Sequence, residues 1–121
     1  MKRALLIASI CFFVLAQFIV SAHDPSGINA SFNSKTGELA IKVMHDVGKS
    51  KVKDVTKHFI KSIDIKLNGQ ALTTLKFDKQ ETPEYQNAKY KIDKPCKKGD
   101  KISITAFCSV KGSAMKEIKI N

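Results

Sequence analysis

The 121-residue sequence contains no tryptophan, and Arg3 is its only arginine. Aromatic residues make up 7% of the chain, and they are not interleaved with the lysines that give it a net charge of +10. Surfaces that bind single-stranded nucleic acid usually combine basic groups with stacking aromatic side chains. The composition therefore argues against a nucleic-acid partner despite the excess of lysine.

Several motifs of common enzymes are also missing. The sequence has no glycine-rich phosphate loop, no serine nucleophile elbow and no pair of carboxylates among apolar neighbours. Nucleotide-dependent enzymes and serine hydrolases need such arrangements to bind phosphate or to activate a nucleophile. The sequence thus identifies no catalytic residue of these classes.

The first 22 residues have the pattern of a Sec signal peptide. Lys2 and Arg3 precede an apolar stretch over residues 4–20, broken only by Ser9 and Gln17, and small or apolar residues lead up to Ala22. A stretch of about 17 residues is at the lower limit for a membrane-spanning helix, and the polar, turn-forming segment 23–27 follows directly. We therefore predict cleavage after Ala22, a periplasmic or secreted protein, and no integral membrane segment after cleavage.

Cleavage would leave residues 23–121 as one domain of 99 residues, whose 19 lysines and 11 acidic residues give a net charge of +8. A domain of this size buries a limited apolar core, so a disulfide or a bound metal would add useful stability. Two cysteines, Cys96 and Cys108, remain in this part of the chain, and the predicted compartment is oxidising.

Apolar and polar residues alternate with a period of two along most of this domain, which predicts β-strands. Asn68-Gly69 is the strongest hairpin signal, since both residues tolerate positive φ. The pattern predicts an all-β fold, a single immunoglobulin-like antiparallel β-sandwich of about seven strands. The predicted strands cover residues 28–33, 38–45, 59–67, 70–77, 86–92, 101–108 and 113–120.

Alternating strand directions place several metal-binding residue types at one pole of this sandwich: His23, His45, His58 and Cys108. Cys96 falls at the opposite pole, roughly 23 Å away along one strand, whereas a disulfide needs Cα atoms within about 7 Å. A Cys96–Cys108 disulfide is therefore disfavoured. Imidazole and thiolate together suit iron, zinc or copper, although Cys108 also fits a small buried core residue.

Lysines surround the same pole. Their positive field would attract a small anionic substrate or a redox partner, with Lys57 and Lys111 adjacent to the candidate ligands. A solvated loop that keeps the protein soluble explains the same charges. The lysines concerned are Lys49, Lys51, Lys53, Lys57 and Lys111.

Three segments resemble the iron-binding domain of superoxide reductases, the family that includes desulfoferrodoxins and neelaredoxins. They are Met44-His45, Lys57-His58-Phe59-Ile60 and Cys108-Ser109-Val110-Lys111-Gly112. The resemblance covers residues 28–120 and implies an immunoglobulin-like sandwich with a mononuclear non-haem iron. It further implies that His45 and His58 are equatorial ligands and that Cys108 is the axial thiolate.

The sequence departs from that family at two points. Lys111 stands where the family motif has a histidine, and the early E-K-H-x-P loop of the family is absent. Three histidines cannot complete the family's set of four, although His23 would supply one more imidazole and, after cleavage, an α-amine. The resemblance thus implies an exported, ligand-depleted relative in which superoxide reduction is an open question.

Two other functions remain open from the sequence. A periplasmic copper protein would use the amine and imidazole of His23 together with His45 or His58. A non-catalytic binding or accessory module would keep the sandwich, without the metal site. We rank metal binding, with iron as the ion, ahead of both.

Overall fold

The computed structural model describes residues 25–121. The predicted signal peptide, its cleavage site and His23 lie outside the described residues. Within the described range, the structure contains no helix with the length and apolar character needed to span a bilayer.

The described chain forms seven β-strands and one short 3₁₀ helix, so the predicted all-β class is confirmed. The sequence pattern located each strand to within one or two residues. The strands are β1 (Gly27–Asn33), β2 (Glu38–Met44), β3 (Ile60–Leu67), β4 (Gln70–Lys76), β5 (Tyr85–Lys91), β6 (Lys101–Cys108) and β7 (Ser113–Lys119), and the 3₁₀ helix is Val47–Lys49.

The strands form two antiparallel sheets, with the order β1-β2-β5 in one and β4-β3-β6-β7 in the other. Strand β2 is central in the smaller sheet and buries Leu39, Ile41 and Val43 on one face. Strand β6 is an inner strand of the larger sheet and buries Ile102 and Ile104 on one face. The two apolar faces form the core of a β-sandwich, as the alternation predicts.

The predicted hairpin joins β3 to β4 through Asn68 and Gly69, whose φ angles are 51° and 83°. Positive φ at both central residues is the requirement of a type I′ turn, which matches the twist of the flanking strands. The Asn68 side chain also donates to Asp100 Oδ1 at 3.1 Å and accepts from the Lys101 N–H at 3.0 Å. These contacts anchor the hairpin at the pole where β6 begins.

At the other pole β2 ends, β3 begins and β6 ends. Cα pairing of Ile60 with Cys108 places the end of β6 beside the start of β3, and the register shifts between Ile60 and Ser62. Cys96 precedes β6 and is therefore far from Cys108, which terminates it. Both cysteines are free thiols in the described structure, in agreement with the predicted absence of a disulfide between them.

Candidate metal centre

Three potential metal ligands meet where the core reaches this pole. His45, His58 and Cys108 are 4%, 4% and 3% exposed, and their candidate ligand atoms lie within 4.8 Å of one another. His45 follows β2 of the smaller sheet, whereas His58 precedes β3 and Cys108 ends β6 in the larger sheet. The structure thus brings together three of the four predicted ligands, and the fourth, His23, lies outside the described residues.

The His45 ring is oriented by Gln80. Gln80 Oε1 lies 2.8 Å from His45 Nδ1, and an amide oxygen can only accept a hydrogen bond. His45 therefore carries its proton on Nδ1 and keeps the lone pair of Nε2. Burial lowers the pKa of His45, and the Gln80 hydrogen bond opposes that effect to a smaller extent. The imidazole is accordingly held in the neutral form that ligates metals.

His58 has the same tautomer as His45, with the proton on Nδ1 and the lone pair on Nε2. His58 Nδ1 lies 2.9 Å from the Val52 carbonyl oxygen and 3.0 Å from Ser50 Oγ. Because a carbonyl oxygen only accepts, the Nδ1 proton points to Val52 and the Nε2 atom carries the lone pair. The two histidine rings meet edge to face, with their centroids 4.8 Å apart and an interplanar angle of 84°.

The Cys108 sulfur accepts a backbone hydrogen bond. The Val110 N–H donates to Cys108 Sγ over 3.4 Å, an interaction that stabilises negative charge on sulfur and tunes thiolate-ligated metals. The turn after β6 is fixed to the start of β3, since Ser109 N–H donates to Phe59 O at 2.8 Å. The thiol is therefore held next to His58 by the main chain itself.

This donor set fits a metal ion. Two neutral imidazoles and a thiolate are ligands that iron, zinc and copper accept. Bonds of about 2.1 Å to nitrogen and 2.3 Å to sulfur at tetrahedral angles put the donor atoms about 3.5 Å apart, so donors that lie up to 4.8 Å apart here close by about 1.3 Å on binding. Three protein donors also leave a coordination position for a further ligand.

The hydrogen-bond partners of the two histidines were not predicted. Gln80 lies in the connection between β4 and β5, and it is 1% exposed although glutamine is usually a surface residue. Ser50 and Val52 lie in the long connection between β2 and β3. Isolated residues in a polar loop produce no periodic hydropathy pattern. The sequence therefore did not identify Gln80, Ser50 or Val52 as partners of the histidines.

Two of the lysines predicted to attract an anion lie close in sequence to the candidate ligands. Lys57 immediately precedes His58, and Lys111 lies in the turn between β6 and β7; both are exposed. Lys49 is paired with Asp46 at 3.8 Å. The three candidate ligands themselves have little solvent access.

Comparisons with known proteins support the fold. No protein-family model and no curated protein matches the chain. A hypothetical protein from Pyrococcus horikoshii OT3 is similar in structure, with 15% identity and a TM-score of 0.55, over 80% of this chain and 89% of that one. A superoxide reductase from Nanoarchaeum equitans aligns with 16% identity and a TM-score of 0.44, over 81% of this chain and 92% of that one. The first likeness shows a shared fold, and neither shows an activity for this chain.

Proposed function

We propose that this protein is an exported mononuclear metal-binding protein that holds iron between His45, His58 and Cys108. The observation that carries the proposal is the convergence of three buried donors from two sheets. Both imidazoles have their Nδ1 atoms engaged by acceptors, which directs Nε2 toward a metal. The export signal in residues 1–22 supports a periplasmic or secreted location.

Iron is the favoured ion because the Lys57-His58-Phe59-Ile60 and Cys108-Ser109-Val110-Lys111-Gly112 segments resemble superoxide reductases. A thiolate-ligated iron supplies one-electron redox chemistry when bound. The protein contributes the ligands, fixes their tautomers and limits the access of water. We therefore propose a redox role for a distant relative of that family, and superoxide is the small anion to test first.

Metal analysis with an optical spectrum tests this proposal. Protein purified from the periplasm without chelators and loaded anaerobically with iron should hold about one iron per chain and show a thiolate-to-iron band. Cys108→Ala should lose the band and most of the iron. Cys96→Ala is the matched control, because it removes the other described thiol at the opposite pole and should retain both.

Two results would overturn the assignment. Stoichiometric copper that persists in Cys108→Ala would point to a site built on His23. The absence of any metal in the wild type and in both variants would leave a sandwich that binds something else.

The lysines beside the centre make a separate prediction. Replacing Lys57 and Lys111 with glutamine should lower the rate of reaction of the loaded protein with superoxide by about threefold at low ionic strength, because field focusing raises encounter rates. Lys94→Gln with Lys98→Gln is the control, since it removes the same charge from exposed residues before β6, at the opposite pole. Pulse radiolysis across a salt series measures both pairs. Equal rate losses in the two pairs would mean that net charge, and not local steering, sets the rate.

A further inference from the structure

The side chain of Gln80 makes four hydrogen-bond contacts, although the residue lies in a loop. Its Oε1 contacts His45 Nδ1 at 2.8 Å and accepts from the Ile60 N–H at 3.3 Å. Its Nε2 donates to the carbonyl oxygens of His45 and Thr82, each at 2.8 Å. The side chain is 1% exposed, so these four contacts occur away from water, where each is costly to leave unmade.

These contacts fix the orientation of the amide without reference to the histidine ring. The nitrogen end faces two carbonyl oxygens, which only accept, and the oxygen end faces the N–H of Ile60, which only donates. His45 Nδ1 must therefore be the donor to Gln80 Oε1. The side chain selects one tautomer of His45.

Gln80 also connects the two sheets at the pole. His45 follows β2 of the smaller sheet, and Ile60 begins β3 of the larger sheet two residues after His58. The Gln80 N–H donates to the Val55 carbonyl oxygen at 3.0 Å, in the segment that leads to His58. One residue thus holds both histidine-bearing segments and sets their separation.

We propose that Gln80 is a positioning residue of the metal centre, which fixes the His45 tautomer and the spacing between His45 and His58. This inference rests on the proposed metal function. A neutral amide suits the position better than a carboxylate, because a carboxylate would face the carbonyl oxygens of His45 and Thr82 with no proton to donate. The amide also makes His45 a weaker electron donor than a carboxylate partner would.

The test compares Gln80→Met with Gln86→Met. Gln86 is a second buried glutamine of the same region, 7% exposed, and within residues 25–121 its side chain bonds to main-chain atoms of Glu81 and Asn87 and to no histidine. Removing the partner of a ligating histidine usually weakens metal binding 10- to 100-fold. We expect that loss in Gln80→Met and little change in Gln86→Met, measured by competition with a chromophoric chelator.

A second readout needs no metal. Long-range ¹H–¹⁵N NMR of the metal-free protein reports the tautomer of His45, which should be Nδ1–H in the wild type and in Gln86→Met and mixed in Gln80→Met. If Gln80→Met does not fold, Gln80→Glu replaces it: the retained acceptor should preserve the tautomer while the optical band of the loaded protein shifts.

The outcomes separate the two proposals. A wild type that binds no metal would refute the metal function, while the tautomer comparison would still decide the role of Gln80. An unchanged His45 tautomer and equal metal affinities in Gln80→Met and Gln86→Met would refute the positioning role. A mixed His45 tautomer in Gln80→Glu, which retains the acceptor, would refute it as well.

Discussion

Iron binding is expected to raise the free energy of unfolding by about 4 kcal/mol when free iron is a thousandfold above its dissociation constant. The three donors come from three segments in two sheets, so unfolding separates them and releases the ion. In a domain of this size 1 kcal/mol corresponds to about 4–8 °C in Tm, so about 4 kcal/mol predicts a rise of about 16–32 °C. Anaerobic thermal unfolding followed by circular dichroism, with and without ferrous iron, measures the shift.

Cysteine variants identify the origin of this stabilisation. Cys108→Ala should lose most of the increment, because one of three donors is gone, whereas Cys96→Ala should keep it. Addition of a strong chelator should return the wild type to the Tm of the metal-free protein. A wild-type Tm that is independent of iron would contradict the proposed site even if some iron co-purifies with the chain.

Most of the fold could be predicted from alternation and turn chemistry. Strand β6, for example, was expected over residues 101–108 and is Lys101–Cys108, because a strand with one buried face must alternate apolar and polar side chains. Strand β3 begins at Ile60 where residue 59 was expected, close to a register shift between Ile60 and Ser62. Such irregularities depend on how strands pair and leave no periodic trace in the sequence.

The convergence of His45, His58 and Cys108 followed from strand direction alone. Once seven strands alternate, the end of β2, the start of β3 and the end of β6 share a pole, whatever the loops do. The residues that orient the ligands could not be predicted from strand direction. Gln80 and the Val52 carbonyl reach the histidines through loop conformations, and these are set by tertiary hydrogen bonds and not by local pattern.

Truncating the core under the site should have an effect as large as metal binding. Ile104 is fully buried in β6, on the same face as Ala106 and Cys108 because side chains repeat every second residue. Ile104→Ala should cost about 2–5 kcal/mol, from lost apolar burial and the cavity left behind. Urea unfolding of the metal-free protein measures this cost. Met115→Ala on β7 is the control: its side chain is 68% exposed, so the change should stay within about 0.5 kcal/mol.

The same variant links the core to the metal. A domain of this size has a total stability of about 5–15 kcal/mol, so a loss of about 2–5 kcal/mol should clearly lower the unfolding midpoint of metal-free Ile104→Ala. Iron binding acts on the folded state only and adds about 4 kcal/mol, which would largely restore the wild-type midpoint. The restoration requires that Cys108 keeps its position when the cavity forms four residues away, on the same face of β6. An Ile104→Ala protein that gains no stability from iron would show that core packing along β6 sets the position of Cys108 in the centre.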